Sequence, residues 1–399
     1  MRSRAIALSV VCAFAVLAAG CATVGRLPAV PLSLSASAVP LNIPDARYYA
    51  DTDTDRMSAL ATELYARAKA SGLLPKANGK TPVQRSFLAI SGGGDDGAFG
   101  AGLLAGWSAR GDRPQFSIVT GVSTGALSAP FAFLGPAYDD QLRRIYTETS
   151  AGDVFEKRTI MAAVAEDAMA DSAPLRAKIA KFVNREMVQR IAEEYGKGRL
   201  LLILTTNLDQ GRSVVWNIGA IAASNHPHAR DLIVDVLVAS AAIPGLFPPV
   251  MINVAVDGKQ YQEMHVDGGA VAQAFLYPPS FSLKAKMKEW GIKLAPVAYI
   301  IRNGRLYRPE ENVERQTLKI AQQAISTMTA SSGVNDLYRM YLTTKRDGVA
   351  FNMAYIGDDF RVPYKGPFEK DYMNALYEYG FEVGRRGKQW NSAPPGYLE

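Results

Sequence analysis

Histidine and cysteine are scarce in this chain, with three of the first and two of the second among 399 residues. Cys12 lies within an N-terminal leader and no cysteine follows Cys21, which excludes an internal disulfide framework in an exported domain. His226 and His228 share the turn-like SNHPHA without nearby acids, a poor donor set for a metal, and His265 stands apart from them. Charge of one sign is also lacking. A net +6, part of it Arg2 and Arg4 in the leader, is too mild and too dispersed for nucleic acid. There is no internal repeat and no long charge run. What remains, 48% hydrophobic and 21% charged residues, is the composition of a folded, enzyme-sized unit with a sizeable core.

The apolar stretch AIALSVVCAFAVLAA is too short to span a bilayer comfortably, and with Arg2 and Arg4 before it reads as a secretory leader over residues 1–20. It ends in LAAGC, which resembles a bacterial lipobox, so Cys21 is the expected lipidated first residue and membrane anchor. A plain signal peptide with Cys21 incidental is the other reading. Ala22 after the cysteine, by resemblance to Gram-negative lipoproteins, implies an outer-membrane protein facing the periplasm.

Residues 21–47, rich in Pro, Ala, Ser and Val, read as anchor and tether. Met57, Leu60, Leu64 and Ala68 recur at helical spacing, so residues 48–84 are expected to form a helical extension, with the helix at 55–71. Residues 85–275 form the expected catalytic core. It opens with two strand-turn-helix units, FLAIS followed by a helix at 98–107 and QFSIVTGV followed by SAPFAFLG, which imply a parallel sheet covered by helices. Residues 138–196 have a helical pattern. Two strands joined at Asp209, a helix near 231–240, a strand ending in Asp267 and another in PVAYIIRNG follow. Residues 276–399 complete the domain, and Tyr372, Leu376, Tyr379 and Val383 mark one face of a closing helix, or alternatively a stripe that meets a membrane.

Three motifs carry chemistry. GVSTG, with Gly121, Ser123 and Gly125, fits a nucleophile elbow, in which a strand runs into a tight turn and a helix leaves at once. GGGDDG, with Gly92, Gly93, Gly94 and Gly97, places flexible backbone at a helix N-terminus, where unpaired N–H groups suit a developing oxyanion. Gly92, Gly94 and Gly97 also match a dinucleotide fingerprint, but no Walker lysine follows and Asp112, near the ribose position, lies in a polar turn. VDGG supplies Asp267 with Gly268 and Gly269 at a strand end. No histidine follows Asp267, so an α/β-hydrolase triad with that acid is impossible in chain order. A triad of Ser123 and His265 with Asp235 or Asp209 stays open.

In this order SGGGDDGAFGAGLL, GVSTGAL, TTNLDQG, ASAAIPGLFPPV and VDGG resemble the patatin-like phospholipase family over residues 87–274. The resemblance implies an α/β fold, a three-layer α/β/α patatin-like architecture with a mainly parallel central sheet, acting as a serine hydrolase on lipid acyl esters without metal or other cofactor. Ser123 is then the nucleophile, Asp267 its base, and Gly92, Gly93 and Gly94 the oxyanion hole. Many relatives have Arg or Lys where this chain has Asp96. Asp95 and Asp96 are expected to cap the helix, and their charge motivates an alternative: an inactive, membrane-anchored binding or scaffold lipoprotein. Acyl length, headgroup, a lid within residues 151–194 and oligomeric state stay open.

Overall fold

A computed structural model describes residues 25–74, 83–154, 156, 157, 168, 170–291, 294–307 and 312–397. The leader and Cys21 lie outside the described residues. In chain order the strands are β1 (Arg47–Tyr49), β2 (Val83–Ile90), β3 (Phe116–Val122), β4 (Glu156–Lys157), β5 (Ala170–Asp171), β6 (Leu200–Asn207), β7 (Arg212–Asn217), β8 (Val250–Val256), β9 (Lys259–Asp267), β10 (Leu294–Arg302) and β11 (Ala350–Tyr355). The helices are α1 (Thr54–Ala70), α2 (Gly97–Arg110), α3 (Thr124–Leu134), α4 (Asp139–Thr147), α5 (Ala173–Phe182), α6 (Arg185–Gly196), α7 (Ile218–Ala223), α8 (Ala229–Ser240), α9 (Leu283–Glu289), α10 (Thr317–Asp347) and α11 (Lys370–Arg386).

The fold is a three-layer α/β/α sandwich. The sheet order is β1-β7-β6-β3-β2-β10-β11, and the five strands from β6 to β11 are mutually parallel. Beyond the end of β3, β9 pairs with β6 in antiparallel sense, Thr205 opposite Asp267, and carries β8 with it. Period-two alternation sorts the side chains between layers. In β2, Leu88 and Ile90 pack with α2, α3, α4, α8 and α11, whereas Phe87 and Ala89 pack with α9 and α10. The first helical layer is closed by a crossing of α2 on α11. A Cβ added at Gly102 or Gly106 would lie 2.0 Å from the carbonyl oxygen of Tyr377 or Phe381. Gly380 and Gly384 meet the carbonyls of Phe99 and Leu103 at 2.4 and 2.3 Å in the same sense.

Three expectations need correction. Residues 25–47 are docked against the domain: Val30, Ala38, Ile43 and Ala46 are buried, Val39 bridges Ala255 on β8, and β1 extends the sheet beside β7. Composition made this stretch look free because its apolar side chains are few, small and without period; their partners lie some two hundred residues away. Within residues 138–196 the helices are interrupted by the short ladder of β4 and β5. The face expected on α11 does close the core but is shifted: Tyr372 and Leu376 are buried, Tyr379 and Val383 are only partly buried against it, and Met373, Tyr377, Gly380 and Gly384 complete the buried stripe, because the helix turns its glycines toward α2.

Candidate active site

Ser123 stands where β3 ends and α3 begins, with φ 54° and ψ −125°, a left-handed conformation that a non-glycine residue adopts at a cost of about 1–3 kcal/mol. The turn is too tight for side chains on either side of it. A Cβ at Gly125 would fall 2.2 Å from the Ile90 carbonyl oxygen, and one at Gly121 would fall 2.5 Å from that of Gly125. The Ser123 amide donates to the Ser240 hydroxyl at 3.0 Å, and that hydroxyl donates to the Leu204 carbonyl at 2.7 Å, so the end of α8 clamps the turn. Behind it the Tyr146 hydroxyl meets those of Thr124 and Ser128 at 2.6 and 2.9 Å.

Asp267, the last residue of β9, comes to the same point from the opposite direction. The Ser123 hydroxyl donates to its Oδ2 at 2.6 Å, and the Gly269 amide donates to its Oδ1 at 2.7 Å. Both partners are buried. Burial pushes the Asp267 carboxyl up to about 7, against the lowering effect of those two hydrogen bonds. Gly268 packs on the Leu204 carbonyl and Gly269 on the Gln273 amide, so the chain turns away without obstructing the carboxylate.

The three glycines expected to donate to an oxyanion do not behave alike. The Gly92 amide is committed to the Gln273 carbonyl at 3.0 Å. Gly92 therefore contributes space: its absent Cβ would lie 3.2 Å from that of Ser123. The amides of Gly93 and Gly94 have no acceptor among the described residues, and Gly94 takes φ +61° beside Ser123 and Thr124. The first amide of α3, that of Thr124, adds another N–H at a helix start. Asn303, which the sequence reading passed over, holds the turn: its amide donates to the Ser91 hydroxyl and its side chain donates to the Ser91 carbonyl, both at 2.9 Å.

Asp95 and Asp96 do not cap a helix, because neither makes a capping bond to α2. Asp95 reaches the chain leading into α11, accepting from the Phe368 amide at 2.9 Å, and Asp96 reaches α11 itself, accepting from the Tyr372 hydroxyl at 2.8 Å. Burial raises the Asp95 carboxyl above its ordinary value despite the Phe368 amide that donates to it.

His265 is fully committed elsewhere. Nδ1 lies 2.9 Å from the Thr205 hydroxyl and Nε2 lies 3.1 Å from Glu263, and its ring packs edge-on to Trp216. Burial lowers its pKa. Asp235 pairs with Arg176 and Asp209 with Arg26, so neither candidate acid orients this ring toward Ser123. His226 and His228 sit at the surface near Asp231, and among the described residues no group of His, Cys, Asp and Glu could hold a metal. Gly97 packs on Thr124 and Tyr146, and Asp112 is a surface partner of Arg110, an arrangement without the features of a dinucleotide site.

Ser123, Gly94 and Thr124 open on a cleft of about 840 Å³, including its mouth. Its walls are mainly apolar, among them Leu127, Phe131, Ile179, Phe182, Phe247 and Phe368. Lys178, whose pKa burial lowers, donates to the Thr149 hydroxyl in the same wall.

A buried serine on a strained elbow, an aspartate within hydrogen-bond distance and an apolar cleft define a serine–aspartate site on an α/β/α scaffold. Residues 88–277 match the family model described as patatin-like phospholipase, and the chain carries that domain. Among solved structures it is similar to VipD from Legionella pneumophila, at 12% identity over 77% of this chain and 67% of that one, with a TM-score of 0.38. It is also similar to the type III effector ExoU, at 12% identity over 77% and 54%, with a TM-score of 0.32. A third is human GIVD cytosolic phospholipase A2, at 10% over 72% and 52%, with a TM-score of 0.29. The chain spans about half the length of the last two. No curated protein matches it.

Proposed function

We propose that the protein hydrolyses carboxylic ester bonds of lipids through a Ser123–Asp267 dyad and an acyl-enzyme intermediate. A phospholipase family model over residues 88–277 supports lipid hydrolase activity. The observation that carries the finer reading is the 2.6 Å hydrogen bond from the Ser123 hydroxyl to a buried carboxylate whose pKa is near 7. An ordinary aspartate is a feeble base for a hydroxyl, whereas one poised near neutrality combines proton affinity with a substantial ionised fraction.

As Ser123 Oγ bonds to the ester carbonyl carbon, its proton passes to Asp267, and the amides of Gly93, Gly94 and Thr124 receive the charge that forms on the carbonyl oxygen. The carbon–oxygen bond to the alcohol then breaks, and the proton on Asp267 goes to the departing oxygen. Water repeats the sequence: it loses a proton to Asp267, attacks the acyl carbon, and releases the fatty acid while Ser123 regains its proton. The acyl chain lies along the apolar cleft.

The chain is also read as a lipoprotein, anchored through Cys21 in the outer membrane and facing the periplasm. The supporting features are the leader and the LAAGC string. Fluorophosphonate labelling and p-nitrophenyl acyl ester turnover test the dyad. Both should vanish in Ser123→Ala, and turnover should fall by a factor of about 10³ or more in Asp267→Asn. Undiminished turnover in Ser123→Ala refutes the reading.

A further inference from the structure

Two features of the fold point in one direction, outward from the edge of the sheet at which Ser123 sits. The first is α10. It runs from the loop after β10 back to the start of β11, so its C-terminal end lies at the opposite edge. At Gly333 it passes Arg302 and Gln273, level with the catalytic edge, and from there to Asp347 it covers the sheet with Leu337, Met340 and Tyr341 buried. Residues 317–332 overshoot that edge by about 24 Å. At 100° per residue, Ile320, Ala321, Ala324, Ile325 and Met328 fall within about 140° of arc, and Lys319, Gln323 and Ser326 lie opposite. The apolar side is open to solvent, with Ile320, Ile325 and Met328 exposed by 52%, 56% and 71%.

The second feature is the path of the N-terminal chain. The Arg26 guanidinium donates to both carboxylate oxygens of Asp209 at 2.7 Å and to the Gln262 carbonyl at 2.8 Å. Asp209 lies just past the end of β6. Gln262 lies five residues before Asp267 on β9, about 16 Å outward from the dyad. The Gln262 amide donates to the Pro28 carbonyl, and Val30 is buried, so the chain is fastened here from Arg26 onward. Cys21 is four residues from Gly25 and lies at most about 14 Å from it.

We propose that the catalytic edge is the membrane face of the protein, with the projecting half of α10 lying on a phospholipid bilayer beside the point where the anchored N-terminus leaves the domain. This rests on the proposed acylation of Cys21, because the reach of only four residues is what brings the bilayer to this edge and not another. Among the described residues no helix is long and apolar enough to cross a membrane. The amphipathic overhang therefore rests in the interface, apolar side down. Lipid would then be drawn from the bilayer directly below the cleft.

The test uses the full, processed chain reconstituted in vesicles of phosphatidylethanolamine and phosphatidylglycerol. Met328→Cys carries an environment-sensitive fluorophore, and the parent chain labelled in parallel reports whether Cys21 is blocked. The expected result is a blue-shifted emission quenched by nitroxides on the lipid acyl chains. Solvent-like emission in vesicles overturns the proposal, as does a shift that depends on protein concentration without lipid, which would mean that a second copy covers the stripe. The variant Ile320→Glu/Ile325→Glu should lower the ratio of vesicle to soluble-ester turnover about tenfold, and an unchanged ratio also overturns it. The fluorescence arm does not depend on turnover, so an inactive protein that still shows the shift would count against the hydrolase reading alone.

Discussion

At the scale of single residues the chemistry turns on how Asp267 is held. Apolar burial without a neighbouring cation raises its carboxyl to about 7, so only the ionised fraction can take the Ser123 proton. kcat/KM for a soluble ester should accordingly fall about tenfold per pH unit below 7 and level off above it, and a pH–rate profile checks this. The same shift has a price in stability. In the unfolded chain the group ionises near 3.8, so the folded state is penalised progressively as pH rises from about 4 to 7 and by a constant amount beyond. Asp267→Asn should therefore be more stable than the wild type at pH 8, by on the order of 2 kcal/mol, with the gain disappearing near pH 3, as urea titrations at the two pH values would show. Ser123, Asp267 and the glycines were legible because each sits in a local string whose steric or chemical purpose is contained within a few residues. The commitment of the Gly92 amide to Gln273 was not, nor were Ser240 and Asn303 as supports, since each depends on a partner more than one hundred residues away.

Between elements, the packing of α2 on α11 is set by backbone contact, with glycines from both helices against carbonyls of the other. The crossing also fixes the site, because Asp96 on the oxyanion turn accepts from Tyr372 on α11, and Asp95 accepts from the amide of Phe368, which lines the cleft. Gly102→Leu should cost more than about 3 kcal/mol, or prevent folding, because its first added carbon already falls 2.0 Å from a carbonyl oxygen. Tyr372→Phe leaves the crossing intact and removes one hydrogen bond to a carboxylate, so thermal unfolding should report a loss of only about 1–3 kcal/mol. Strands β2, β3 and β6 were visible as short apolar runs bounded by turn residues. The helix α10 was not, because only its second half is buried while its first half projects, and no single apolar period runs through all 31 residues.

For the molecule as a whole, the docked segment at residues 25–47 changes what the N-terminus does. A stretch that composition marked as a loose spacer ends in Arg47, a buried guanidinium that bonds to both oxygens of Glu263, at 3.0 Å on Oε1, and to the Ala38 carbonyl at 2.9 Å. Glu263 in turn contacts His265 on the strand that delivers Asp267, so the N-terminal segment and the catalytic strand share one buried charge cluster. Burial alone would raise the Glu263 carboxyl, but the His265 hydrogen bond and Arg47 outweigh it and hold the group at about 2. Because that value is below the ordinary 4.5, the pair stabilises the fold above about pH 4.5, and its contribution is lost as pH falls toward 2. Arg47→Ala strands a buried carboxylate and should cost about 3–5 kcal/mol at pH 7. The deficit relative to the wild type should shrink as pH falls from 4.5 to 2, where Glu263 is already about half protonated in the wild type and the lost pairing matters correspondingly less. Denaturant curves across that range distinguish a shared buried cluster from a segment that merely rests on the surface, for which the deficit would be small and independent of pH.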